Sequence, residues 1–318
     1  MEKKLSILML GGAKRVSMAR ELIRAGEELG VKVLIYSHEL SACEPISSVG
    51  TVIVGGKYSS PTISAELDAI IAKNNIDILL PFIDPAISVA KGCAMRISGL
   101  FVPVSDAQMI DTLFDKVLSA ECFASAGLSI PKTYSVTRCE FPAILKPRKG
   151  SASKGIIVVN NSDELAAIAE IENYLIQEYI ANNREYTIDC YITQKGVINA
   201  AVPRIRIATA GGEVMRSETV RNPLLIEQAM RVINALGLRG AVTLQFIENL
   251  VDGTFKLMEI NPRLGGGVIC SIAAGADIAK MIIQECIGAE INNDNETWRD
   301  KTLMTRYFQE VIFHNDNN

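Results

Sequence analysis

Residues 240–267, GAVTLQFIENLVDGTFKLMEINPRLGGG, carry oxygen-bearing side chains at spacings that can bring them together. Asp252-Gly253 is a tight-turn signal between two apolar runs, so a hairpin is expected there. Such a hairpin sets Gln245 close to Glu259, and Asn261 follows on the same face of its strand. Three converging oxygen donors suit a hard Mg²⁺ ion, which takes a few protein ligands and completes its shell with water and phosphate oxygens. Arg263, two residues beyond Asn261, stands where it can neutralise charge on a transferring phosphoryl group. Alone, Glu-Ile-Asn-Pro-Arg also reads as a strand end capped by a turn; its position after a Gln-bearing strand favours the metal.

A second constellation is AILKPRKGSASKGIIV, residues 143–158. Lys146 at a strand end is a point charge for α- and β-phosphates, and Gly150, Ser151, Ser153 and Gly155 let backbone N–H groups approach phosphate oxygens. A solvated basic hairpin would look similar, and the P-loop pattern is absent. In the third, LIQEYIANNREYTID at 175–189, the extended segment Gln177 to Ile180, which includes Glu178 and Tyr179, offers adenine one C=O and one N–H, while Glu185 can accept from both ribose hydroxyls. Either acid alone also reads as a solvated charge. In Pro203-Arg204-Ile205-Arg206-Ile207 two arginines share a strand face; Arg206 is a candidate for a substrate carboxylate, a polar sheet face being the alternative.

The elements that must hold these residues follow from periodicity. Apolar runs at 5–10, 31–36, 51–54, 78–81 and 101–104 read as strands, and 16–29, 62–74 and 87–96 as helices, giving a Rossmann-like parallel sheet covered on both faces. Gly11-Gly12 follows the first strand without the GxGxxG fingerprint, so NAD is not favoured; the turn is either structural or a substrate-facing loop. A helix is expected at 111–126, strands at 132–135, 143–146, 156–159 and 175–179, and a helix at 163–172. Long antiparallel strands are expected at 186–193, 197–207, 240–249 and 254–260.

The chain has 318 residues, 48% hydrophobic and 21% charged, with a net charge of −4, which fits an ordinary multidomain α/β protein and gives no basic footprint for nucleic acid. The run at 5–10 ends after six residues at Gly11-Gly12, so it reads as a strand rather than a signal peptide, and no stretch is long enough for a membrane span. Seven scattered cysteines without CxxC, and only His38 and His314 beside them, imply a cytoplasmic setting and core packing rather than thiol or zinc chemistry.

In this order the motifs resemble the ATP-grasp superfamily, above all one ATP-grasp half of the carbamoyl-phosphate synthase large subunit, through Gln245-Phe246 and Met258-Glu259-Ile260-Asn261-Pro262-Arg263. The resemblance implies two α+β subdomains clasping ATP, preceded by a Rossmann-like domain: 1–105, then 106–180 with the glycine loop, then 181–318 with the metal site. It implies that Lys116 and Lys146 hold phosphate, Glu178 and Ile180 contact adenine, and Glu185 binds ribose. Gln245, Glu259 and Asn261 would hold Mg²⁺, with Mn²⁺ an alternative, and Arg263 would act on the γ-phosphate and the acyl intermediate. The implied activity is a carboxylate-amine ligase acting on small molecules, with a homodimer compatible. Activation of bicarbonate to carboxyphosphate and a nucleotide-binding regulatory module are the rivals. Many members carry an acid at the Gln245 position, so metal affinity is expected to be lower here. With one grasp module and no glutaminase segment in the sequence, carbamoyl-phosphate formation from ammonia and bicarbonate is not expected.

Overall fold

A computed structural model describes residues 3–150, 154–291 and 297–314. In chain order the first elements are β1 (Lys3–Leu10), α1 (Val16–Glu28), β2 (Val31–Glu39), β3 (Thr51–Val54), α2 (Ile63–Asn74), β4 (Ile78–Pro81) and α3 (Asp84–Arg96). After α4 (Ala107–Leu113) and α5 (Lys116–Ser125) come β5 (Ala143–Pro147), β6 (Ile157–Val159), α6 (Ser162–Ala166) and β7 (Tyr174–Glu178). The remainder is β8 (Asn183–Ile192), β9 (Ile198–Ala210), β10 (Glu213–Thr219), α7 (Pro223–Leu236), β11 (Gly240–Asn249), β12 (Phe255–Asn261), α8 (Val268–Ala273), α9 (Ile278–Ile287) and β13 (Leu303–Thr305).

The first sheet is parallel in the order β3-β2-β1-β4, as a Rossmann-like part requires. Its central strand is apolar on both faces. Leu5, Ile7 and Met9 pack with Met18 and Leu22 of α1, whereas Leu8 and Leu10 pack with Leu67 and Ile71 of α2 and Ile87 of α3. This period-two division is the geometry of a strand buried on both sides. Helix α9, from the other end of the chain, completes the α1 side with Ile278 and Ile282.

The second sheet has six antiparallel strands, β12-β11-β8-β9-β10-β13, and the third has three, β6-β5-β7. Helix α7 covers one face of the large sheet through Leu225, Ala229, Val232 and Ile233. Among the described residues no helix is long and apolar enough to cross a membrane.

Several expected elements differ. The helix expected at 111–126 is two helices, because the Asp115 side chain accepts from the Val117 and Leu118 amides and starts a new one. The expected helix at 163–172 is the five-residue α6 followed by a short 3-10 turn at Ile171–Asn173, with Glu170 left-handed between them. The runs at 101–104 and 132–135 make single bridges, Phe101 to Ile78 and Thr133 to Gln177, instead of strands. The sequence reading had no counterpart for α7, α8, α9 or β13.

Candidate active site

An open cleft with a cavity volume of about 200 Å³ lies between the three-stranded sheet and the β11–β12 edge of the large sheet. Of the residues singled out from sequence, Lys116, Lys146, Gly150, Glu178, Tyr179, Ile180, Glu185, Arg206, Gln245 and Glu259 line it. Ser151 and Ser153 lie outside the described residues. Gly155 takes φ +74° in the glycine loop, a conformation that favours glycine.

Lys146 sits on β5, where its ammonium donates to Gln177 Oε1 at 3.0 Å; Gln177 is buried on β7 and also donates to the Pro131 carbonyl. Burial lowers the Lys146 pKa, Glu259 and Glu185 oppose this, and the like charge of Lys116 adds to it. The lysine strand and the β11–β12 hairpin are therefore close enough to feel each other. Lys116, first residue of α5, donates to the Gly150 carbonyl at 2.8 Å and ties that helix to the glycine loop.

Gln245 and Glu259 are register partners across β11 and β12, and Asn261 pairs with Thr243. The register then slips: Phe246 pairs with Leu257, leaving Met258 as an extra residue in β12. Phe255, Leu257 and Ile260 face the core, while Met258 and Glu259 both line the cleft. Strict alternation from Leu257 would have sent Glu259 into the core, so the bulge re-aims the carboxylate.

Asn261 and Arg263 are not among the cleft-lining residues. Arg263 donates to Asp84 Oδ1 at 2.6 Å and to Asn261 Oδ1 at 3.2 Å, spanning from the hairpin end to the first turn of α3. The two arginines of β9 separate. Arg204 is fully buried in a fork with Asp189 at 2.7 and 3.0 Å, whereas Arg206 reaches the cleft, donating to Gln245 Oε1 at 3.2 Å with Nε 3.4 Å from Glu185.

Gln245, Glu259 and Asn261 offer oxygen donors only, which fits a hard cation, although Arg206 competes for Gln245. Among the described residues no three His, Cys, Asp or Glu side chains gather as a metal site, so such a cation would depend on amide oxygens. Sequence reasoning missed the side chains of Lys154, Ile144, Ile247 and Met258, which line the cleft, and Lys256, which pairs with Glu178. The basic residue closing the glycine loop was the available signal for Lys154; the apolar walls had none beyond strand alternation.

A family described as ATP-grasp in the biosynthetic pathway with Ter operon matches residues 170–310. The carbamoyl phosphate synthase large chain of Methanobrevibacter smithii is 25% identical over 331 residues, covering 91% of this chain and 31% of that protein. The Methanothermobacter thermautotrophicus large chain is also 25% identical, covering 74% of this chain and 26% of its own length. The chain thus spans less than a third of these curated relatives. The biotin carboxylase domain of Hydrogenobacter thermophilus 2-oxoglutarate carboxylase, solved with MgADP and bicarbonate, has a TM-score of 0.74 at 17% identity, covering 94% of this chain and 73% of that one. N5-carboxyaminoimidazole synthetase of Staphylococcus aureus with ADP gives 0.73 at 15% identity, with 98% and 95% covered.

Proposed function

We propose, from the premise that this chain is an ATP-grasp protein, that it is an ATP- and Mg²⁺-dependent ligase activating a carboxylate as an acyl phosphate and joining it to an amine. The observation that carries this reading is that Lys146 of the small sheet and Gln245 and Glu259 of the large sheet line one cleft.

In this reading adenine lies among Ile144, Ile180, Ile247 and Met258. The amides of Glu178 and Tyr179 already donate to the Lys132 and Pro142 carbonyls at 2.9 and 3.3 Å, so the purine edge takes its donor from Ile180. Glu185 accepts from the ribose, and Lys146, Lys116 and the amides of the glycine loop hold the phosphates. Glu259, Asn261 and Gln245 would hold Mg²⁺, which would supply charge neutralisation to the phosphates; Mn²⁺ suits the same donors. A substrate carboxylate oxygen attacks the γ-phosphorus in line and ADP leaves. The amine then attacks the acyl carbon and expels inorganic phosphate, its proton passing to solvent. Arg263 lies beside Asn261 to balance charge on the phosphoryl group, so the protein contributes positioning and electrostatics rather than covalent bonds. All seven cysteines are free, in keeping with a cytoplasmic setting, and a homodimer belongs to the proposal.

A second reading, phosphorylation of bicarbonate, draws support from the carbamoyl phosphate synthase and biotin carboxylase relationships. The test measures Mg²⁺-dependent ADP and phosphate release against acids, amines, their pairs and bicarbonate, with Glu259→Ala as control. Release requiring an acid plus an amine and lost in the variant is the expected result. Release with bicarbonate alone moves the assignment to carboxyphosphate, and nucleotide binding without turnover under any pair defeats both.

A further inference from the structure

Strand order β3-β2-β1-β4 puts the topological switch point of the parallel sheet between β1 and β4, and open sheets of this kind bind ligands at the carboxyl ends of their strands there. The loop after β1 ends in Arg15, and the loop after β4 leads into Asp84. Facing them are Arg263, Gly266, Glu213 and Arg306. Asp84 is committed to Arg263 at 2.6 Å. Glu213 stands 3.5 Å from Arg15 and 2.6 Å from Arg306.

Gly266 lets the two guanidinium groups converge. A side-chain carbon there would stand 3.0 Å from Nη1 of Arg15 and 3.1 Å from Nη2 of Arg306, and Arg306 also donates to the Gly266 carbonyl. Burial lowers the Arg15 pKa, Glu213 opposes it, and the like charges of Arg306 and Arg263 lower it further. Burial also works against Glu213, yet Arg15, Arg306 and Lys14 hold its carboxyl below the usual range. One carboxylate thus balances two arginines and a lysine. It sits immediately after the turn Gly211-Gly212 and its side chain is 52% exposed, so it can swing away.

We propose that this crevice seats a second carboxylate of the acid substrate, held by Arg15 and Arg306 in place of Glu213, while the reacting carboxylate lies near Arg263. The substrate class is then a dicarboxylate or a larger acid with a carboxylate remote from the reacting one. Two guanidinium forks that already hold a carboxylate of the chain suit that planar group. The inference rests on the ligase reading, deepening its substrate class.

The test titrates succinate, glutarate and acetate into the whole chain by calorimetry, with and without Mg²⁺ and AMP-PNP. At least one dicarboxylate is expected to bind at least about tenfold more tightly than acetate, as a doubly arginine-held group should. Arg15→Gln and Arg306→Gln should each erase that advantage, and Glu213→Gln should enlarge it. Equal binding of mono- and dicarboxylates, no binding of either, or an advantage surviving both arginine substitutions overturns the proposal. AMP-PNP affinity is read in the same cells. Its absence in the unmodified protein would sink the ATP-dependent reading, while the nucleotide-free dicarboxylate titration still decides the crevice.

Discussion

Lys146 shows how one side chain couples charge, burial and the proposed chemistry. Its ammonium is held by the buried amide of Gln177, in surroundings that lower its pKa from the ordinary 10.5. Polyphosphate would favour the charged form, so nucleotide affinity should be flat below the lowered pKa and fall as pH rises through it. Lys146→Met should weaken ATP binding by at least about tenfold, or about 1.4 kcal/mol, and abolish this pH dependence in calorimetric titrations between neutral and alkaline pH. The linked effect on the nucleotide-free fold has the opposite sense. Because the folded-state pKa lies below the unfolded one, the unfolded chain holds the extra proton between the two values, and unfolding free energy climbs with pH across that interval. Urea titrations over the same range should show the climb in the unmodified chain and lose it in Lys146→Met.

Strand β12 is the element on which the site depends, and its bulge does the aiming. With Met258 inserted, Leu257 and Ile260 both reach the core, and Glu259 shares the cleft with Met258. Deleting Met258 restores strict alternation without moving Glu259 or Asn261 to the other face. Fold and Mg²⁺ dependence should therefore survive, with nucleotide affinity reduced by loss of an apolar wall. Deleting Ile260 instead drives Asn261 into a core position. We expect that change to cost about 3 kcal/mol or more in urea unfolding and to remove Mg²⁺-dependent turnover. Helix α7 carries readable signals: Asn222 caps it by accepting from Leu225, Pro223 opens it, and Gly237 closes it left-handed. The breaks between α4 and α5 and after α6 were harder to see, because both stretches keep helical composition.

Over the whole molecule, distant segments close each other's cores. Helix α9 buries Ile278, Met281, Ile282 and Ile283 in the cluster that contains Met18 and Leu22 of α1. Ending the chain before Asp277 would expose that side of the first sheet. At roughly 1.5–3 kcal/mol per large apolar side chain, the loss is comparable to the stability of a whole domain, so cooperative unfolding should disappear in calorimetry. Gly240, the first residue of β11, has a similar long-range constraint: a side-chain carbon would meet the Pro103 carbonyl oxygen at 2.0 Å, and φ is +73°.

Local rules made the parallel sheet, the long antiparallel strands and the Gln245–Glu259 pairing legible, because alternation and the Asp252-Gly253 turn act within a few residues. They also made Lys146 and the glycine loop candidates for holding phosphate, since a basic strand end beside small residues is a property of neighbours in the chain. Only the tertiary structure decided that Arg204 is committed to Asp189 while Arg206 enters the cleft, because burial depends on what packs above each side chain. It alone brought Arg15 and Arg306 to one glycine. The sequence separation of those two arginines is bridged by the pairing of β13 with β10 and by the packing of α9 on α1, and no local periodicity encodes either contact.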